Sequence, residues 1–126
     1  MPSQKQIKQL SDAIRQAQVQ IQWRPGSATR HLHKRKLRRH LPIEANIIDY
    51  DRIIQNVLRM LDAVVYVYHH EGKMYPTIVG DFEGQKWLVM VSATGVMESA
   101  FVVENPKRYL TPPEFEQIGL LQEVLR

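Results

Sequence analysis

The sequence predicts an α+β domain: N-terminal helices, then a four-stranded antiparallel meander sheet, then a C-terminal helix. Three observations lead there. Apolar residues recur at helical spacing through roughly the first half of the chain. From Ala63 onward the period changes to two, and three short glycine-containing connections follow one another. Helices and strands are therefore segregated along the chain, which places helices on one face of an antiparallel sheet. With 126 residues and 44% hydrophobic content the chain has the size and composition of one globular domain. Residues 1–24 read as an N-terminal helix or arm, and residues 25–126 as the single α+β domain.

The elements follow in order. Ser3 is a capping residue for a helix over residues 3–19, whose apolar stripe is Ile7, Leu10, Ile14 and Ala17. Its polar face is rich in glutamine, which leaves open whether it docks on the domain. Pro25-Gly26 ends this segment. Ser27 is the expected cap of a second helix, about 28–40, stopped ahead of Pro42 because a residue preceding proline avoids the α region. Asn46 to Leu61 is expected as a third helix with Ile54, Val57, Leu58 and Leu61 inward.

Val64–Tyr68 is rich in β-branched and aromatic residues and reads as a strand. Met74–Asp81 is a second, and its Pro76 argues for an edge position or a bulge. Lys86–Ser92, the most apolar run, is the expected central strand, and Val96–Val102 the fourth. On that last strand, strict alternation puts Ser99 on one face with Met97 and Phe101, and Glu98 on the other. Pro112-Pro113 should open a closing helix packed through Phe115, Ile118, Leu121, Val124 and Leu125.

Charge is distributed unevenly. Residues 1–40 carry ten Lys or Arg and one acid, whereas residues 41–126 carry seven and twelve, so a net charge of +4 conceals a basic N-terminal third. Such asymmetry points to an anionic partner, RNA or another anionic polymer. The basic residues concentrate in Arg30-His31-Leu32-His33-Lys34-Arg35-Lys36-Leu37-Arg38-Arg39-His40. On a helix His31, Lys34, Arg35 and Arg38 share one face, since side chains three and four apart are neighbours. Arg30, His33, Lys36, Arg39 and His40, together with Arg38, are then available to grip phosphates.

The chemistry open to this set is limited. Without cysteine there is no disulfide, thiolate site or cysteine nucleophile. His31 and His33 project about 200° apart on a helix, and His69 and His70 point to opposite faces of a strand, so no metal and no cofactor is expected. No P-loop, G-x-G-x-x-G or G-x-S-x-G occurs. The N-terminus lacks the apolar core of a signal peptide and no apolar run is long enough to span a bilayer, so the expected location is cytoplasmic, with no membrane partner. What remains is phosphate binding, or metal-free acid–base chemistry on RNA. The latter needs a base for the 2′-OH, an acid for the leaving oxygen and cations for the phosphorane. A histidine beside Lys and Arg can supply these.

Four stretches appear together: His-Leu-x-Lys-Arg over His31–Arg35, Tyr-Asp-x-Ile-Ile-x-x-Val-Leu over Tyr50–Leu58, Lys86-Trp87-Leu88-Val89-Met90-Val91, and Gly95-Val96-Met97-Glu98-Ser99-Ala100-Phe101. In this order they resemble the barnase–EndoU–colicin–RelE (BECR) group of metal-independent ribonuclease folds, over about residues 27–103. The resemblance is greatest to the small members found in phage and bacterial conflict systems. It implies a toxin or phage-associated effector that cleaves RNA by 2′-OH attack. His31 would be the acid/base, Lys34 and Arg35 the phosphate contacts, and Ser99 would stand in the late-strand hydroxyl position that is usually Thr. An acidic antitoxin or immunity protein is the partner such a protein implies. The alternative is a non-catalytic module whose basic helix binds nucleic acid or an acidic protein.

Overall fold

The computed structural model describes all residues, 1–126. The chain runs α1 (Gln4–Val19), α2 (Ser27–Leu37), α3 (Ile47–Leu58), β1 (Val64–His70), β2 (Lys73–Phe82), β3 (Gln85–Val91), β4 (Met97–Val102), α4 (Pro106–Tyr109), β5 (Phe115–Leu120) and α5 (Leu121–Val124). The class is α+β, and the sheet is antiparallel with five strands in the order β4-β3-β2-β1-β5.

The fifth strand replaces most of the expected closing helix. Phe115–Leu120 pairs with β1, and only Leu121–Val124 is helical. The spacing of Phe115, Ile118 and Leu121 suits a helix, but Val65 and Val67 on β1 are fully buried. In a four-stranded meander β1 would be an edge, with its backbone unpaired inside the protein. Pairing with β5 satisfies those groups. The central strand is β2 and not β3, despite Pro76. That proline faces Val67 on β1, and the ladder to β3 begins one residue later, at Thr77.

Helices α1, α2 and α3 cover one face of the sheet. Ile14 and Ala17 of α1, Leu32 of α2, and Tyr50, Ile54, Val57 and Leu58 of α3 pack on Val65, Ile78, Trp87, Val89, Met97 and Ala100. The glutamine-rich first helix therefore belongs to the core. Ser3 and Gln6 close a reciprocal capping box at its start. Leu61, expected in the stripe of α3, lies beyond the end of that helix and is exposed.

The opposite face is covered by chain as well. β4 and β5 lie at opposite edges, about 19 Å apart at ordinary strand spacing. Residues 103–114 bridge them across that face, over a second cluster of Val79, Leu88, Met90, Val103 and Phe115. Burial on both faces explains why Trp87–Val91 is continuously apolar.

Two local features differ from the expected pattern and shape the site. Helix α2 starts at Ser27, with Gly26 in the cap at φ 77°, and ends at Leu37. Its end is a Schellman closure: Arg39 is left-handed at φ 59°, its N–H bonds Lys36 O, and the His40 N–H returns to Arg35 O at 2.9 Å. This reversal turns His40 inward, where a helix continued to residue 40 would not. On β4, the register shifts between Met90↔Ser99 and Val91↔Met97, so Glu98 is the extra residue of a bulge. Met97 and Ala100 consequently both face the helices. Ser99 shares the other face with Phe101 and not with Met97, contrary to strict alternation.

The outer edge of β4 is closed by the helical layer. The Met97 N–H donates to Gln22 O at 2.8 Å, the Tyr50 hydroxyl donates to Ala100 O, and the Val102 N–H donates to His40 Nδ1 at 3.3 Å.

Candidate anion-binding cleft

A cleft of about 900 Å³ opens where the end of α2 meets β4. Lys34, Arg35, Arg38 and His40 form one wall. Ser99, Phe101 and Val102 form the floor. Glu104, Asn105, Arg108 and Tyr109, from the segment crossing the sheet, form the other wall. Four permanent cations face a single carboxylate, Glu104, whose side chain is 82% exposed.

Arg35 dominates this arrangement. It is 2% exposed, yet it takes part in none of the ion pairs of the protein. Its Nη1 lies 3.4 Å from His40 Nδ1, its Cζ lies 5.4 Å from the centre of the Phe101 ring, and its Nε is buried without a partner. Burial pulls its pKa below the ordinary arginine value. Buried charges in folded proteins are normally paired, because an isolated one costs several kcal/mol. The protein itself supplies Arg35 with no counter-anion.

His40 is buried beside it. Two donors, the Val102 N–H and the Arg35 guanidinium, converge on Nδ1. This fixes the neutral tautomer with the proton on Nε2, which lies 3.9 Å from Glu104 Oε1. Burial, and then the neighbouring Arg35 charge, hold its pKa below the ordinary histidine value. In this state Nε2–H is free to act as a hydrogen-bond donor. The ring is poorly set for proton transfer: taking a proton at Nδ1 would sacrifice the Val102 bond, and neutral imidazole is a weak acid.

Of the residues singled out in the sequence, Lys34, Arg35, Arg38, His40 and Ser99 come together in the cleft, and His31 does not line it. The His31 ring packs on Trp23 at 5.2 Å, and Trp23 packs in turn on Tyr50. Its Nδ1 is buried without a partner, and burial, then Arg35, Lys34 and Arg30, lower its pKa. Arg30 is exposed on α2. His33, Lys36 and Arg39 border a separate hollow with Leu37, Pro42 and Ile43, which shares only His40 with the cleft. The face predicted to do chemistry is thus divided, and His40, assigned to the outer surface, belongs inside. No three metal-ligating side chains converge anywhere in the molecule.

Sequence reasoning missed the second wall. Arg108 and Tyr109 stand in Lys107-Arg108-Tyr109, a small basic–aromatic run whose position opposite α2 depends on the crossing from β4 to β5. Comparison with protein-family models, curated proteins and solved structures finds no match. No helix is long and apolar enough to cross a membrane.

Proposed function

We propose that this chain is an RNA-binding module that holds the phosphate backbone in the cleft between α2 and the segment crossing the sheet. The observation that carries this reading is Arg35, a buried guanidinium without a carboxylate partner. An incoming phosphate would accept hydrogen bonds from it, with Lys34, Arg38 and Arg108 around the rim. Arginine suits this role because its planar fork matches phosphate oxygens. The His40 tautomer favours binding over turnover, since Nε2–H can donate to a phosphate without moving a proton.

Binding to an RNA oligonucleotide should weaken steeply with salt. With three or four phosphates engaged, the slope of log K against log salt is expected near about −2 to −3. Charge reversal at Arg38 and Arg108 together should reduce affinity at least about tenfold and flatten that slope. Charge reversal at Lys8, exposed on α1 and outside the cleft lining, should do neither. Equal effects from both changes would show that binding is a diffuse surface property and not the work of the cleft.

A second reading is metal-independent cleavage of RNA by 2′-OH attack, as the BECR resemblance implies. One observation favours it. Burial and the cations around His31 lower its pKa, a shift towards the form a general base requires. RNA incubated with the protein in chelator would then acquire 2′,3′-cyclic phosphate ends, and His31→Ala would stop it. RNA left intact by the wild-type protein sinks this reading. A toxin or phage-effector role, and an acidic antitoxin covering α2, belong to this second reading alone.

A further inference from the structure

The cleft continues into a row of aromatic rings. Phe101, on its floor, meets Tyr109 edge-on at 5.9 Å. Tyr109 lies 5.3 Å from Phe115, Phe115 lies 4.9 Å from Tyr68, and Tyr68 stacks on His70 at 5.7 Å with the planes 10° apart. Tyr75 of β2 adds a further ring 6.0 Å from Tyr68. All lie on the face of the sheet away from the helices. Phe115 is buried and supports the row from beneath, whereas Tyr109 is 47% exposed, and Tyr68 and Tyr75 are half-buried.

Core packing accounts for Phe115 but not for Tyr109. A tyrosine that leaves nearly half its surface in water, at the mouth of a cleft holding four cations, is placed as a surface for another flat ring. Duplex RNA hides its base faces inside the stack and offers only phosphates and groove edges, whereas single strands expose them. Aromatic side chains beside a positively charged groove are how proteins hold single strands without reading sequence. The acid that touches the row is Glu71, exposed at its far end, 3.7 Å from His70 Nε2.

We propose that the ligand of this protein is single-stranded nucleic acid, its phosphates in the cleft and its bases stacked first on Tyr109 and then along Tyr68 and Tyr75. This rests on the RNA-binding reading above and adds the class of RNA and the surface that selects it. The cleft alone would accept the backbone of either form, so the aromatic row is what discriminates between them.

The test uses the full chain and two fluorescent RNAs of about eight nucleotides per strand, one single-stranded and one duplex, in the same buffer. The single strand should bind about tenfold tighter or more, and Tyr109→Ala should remove most of that advantage by weakening the single strand far more than the duplex. Tyr109→Phe, which keeps the ring, should bind as wild type. Thermal melts of both variants verify that they fold. Equal binding of both RNAs by the wild type, or equal weakening of both by Tyr109→Ala, overturns the aromatic row as a base platform and leaves the cleft reading standing. Binding of neither RNA overturns both.

Discussion

Arg35→Met will make the protein more stable and a worse binder. Methionine is close to arginine in volume, fills an irregular apolar site well, and would lie beside Phe101 with no charge to desolvate. Burying an ion costs several kcal/mol. Against that cost Arg35 has one long hydrogen bond, at 3.4 Å, and one ring contact, at 5.4 Å. Such contacts return roughly 1 kcal/mol and about 1–2 kcal/mol respectively. The deficit should appear on substitution as a gain of about 1–3 kcal/mol in unfolding free energy, raising the melting midpoint by several degrees. RNA affinity should fall by at least about tenfold, as expected for loss of a charge-assisted phosphate contact. Urea melts and a binding titration on the same two samples measure both. A lower midpoint for Arg35→Met would mean that the guanidinium is a structural part of the core.

Ile14→Ala will be among the most damaging single changes in the chain. Ile14 is 0% exposed and belongs to the main core. Truncating such a residue leaves a cavity and typically costs about 2–5 kcal/mol, a large part of the ~5–15 kcal/mol that holds a domain together. The loss is sharpened by the polar ties of α1 to its neighbours. Gln18 Nε2 donates to Leu58 O at 2.7 Å and Gln55 Nε2 donates to Ala17 O at 3.0 Å, each supplying a donor to a carbonyl near the end of the other helix. Gly95, at φ 85°, brings the β3–β4 turn so close that a Cβ there would lie 2.7 Å from Ala13 O. Val19→Ala, at a residue 79% exposed, should change little. If Ile14→Ala unfolds at nearly the wild-type denaturant concentration, α1 is an appendage after all.

These two residues also mark where the sequence was informative. The stripe containing Ile14 was plain from spacing alone, as were α3, the first four strands and the α+β class, because each rests on local periodicity. One of the glutamines that make α1 resemble an arm, Gln18, is a hydrogen-bond donor to α3, a role that composition cannot reveal. β5 has the signature of a helix in the sequence because Phe115, Ile118 and Leu121 fit that period. The decisive factor, the need of β1 for a second neighbour, is a property of the assembled sheet.

The site shows the same division. That residues 30–40 attract anions followed from their charge. That His40 lies in the cleft follows from Arg39 adopting a left-handed conformation more usual for glycine or asparagine, which no periodicity announces. The bulge at Glu98 likewise moved Ser99 relative to Met97. Arg108 and Tyr109 reached the cleft through a crossing set by strand order, and the row of rings is drawn from four strands and the short helix α4.

The closing of the β4 edge bears on how copies of this protein behave towards one another. A free strand edge is a template on which a second chain can add, the usual beginning of sheet-to-sheet aggregation. Here an arriving strand would find the Met97 N–H, Ala100 O and Val102 N–H already engaged by Gln22, Tyr50 and His40. The three partners come from three different stretches of the N-terminal half. That half therefore does more than carry the basic residues: folded against β4, it blocks the addition of a strand at that edge.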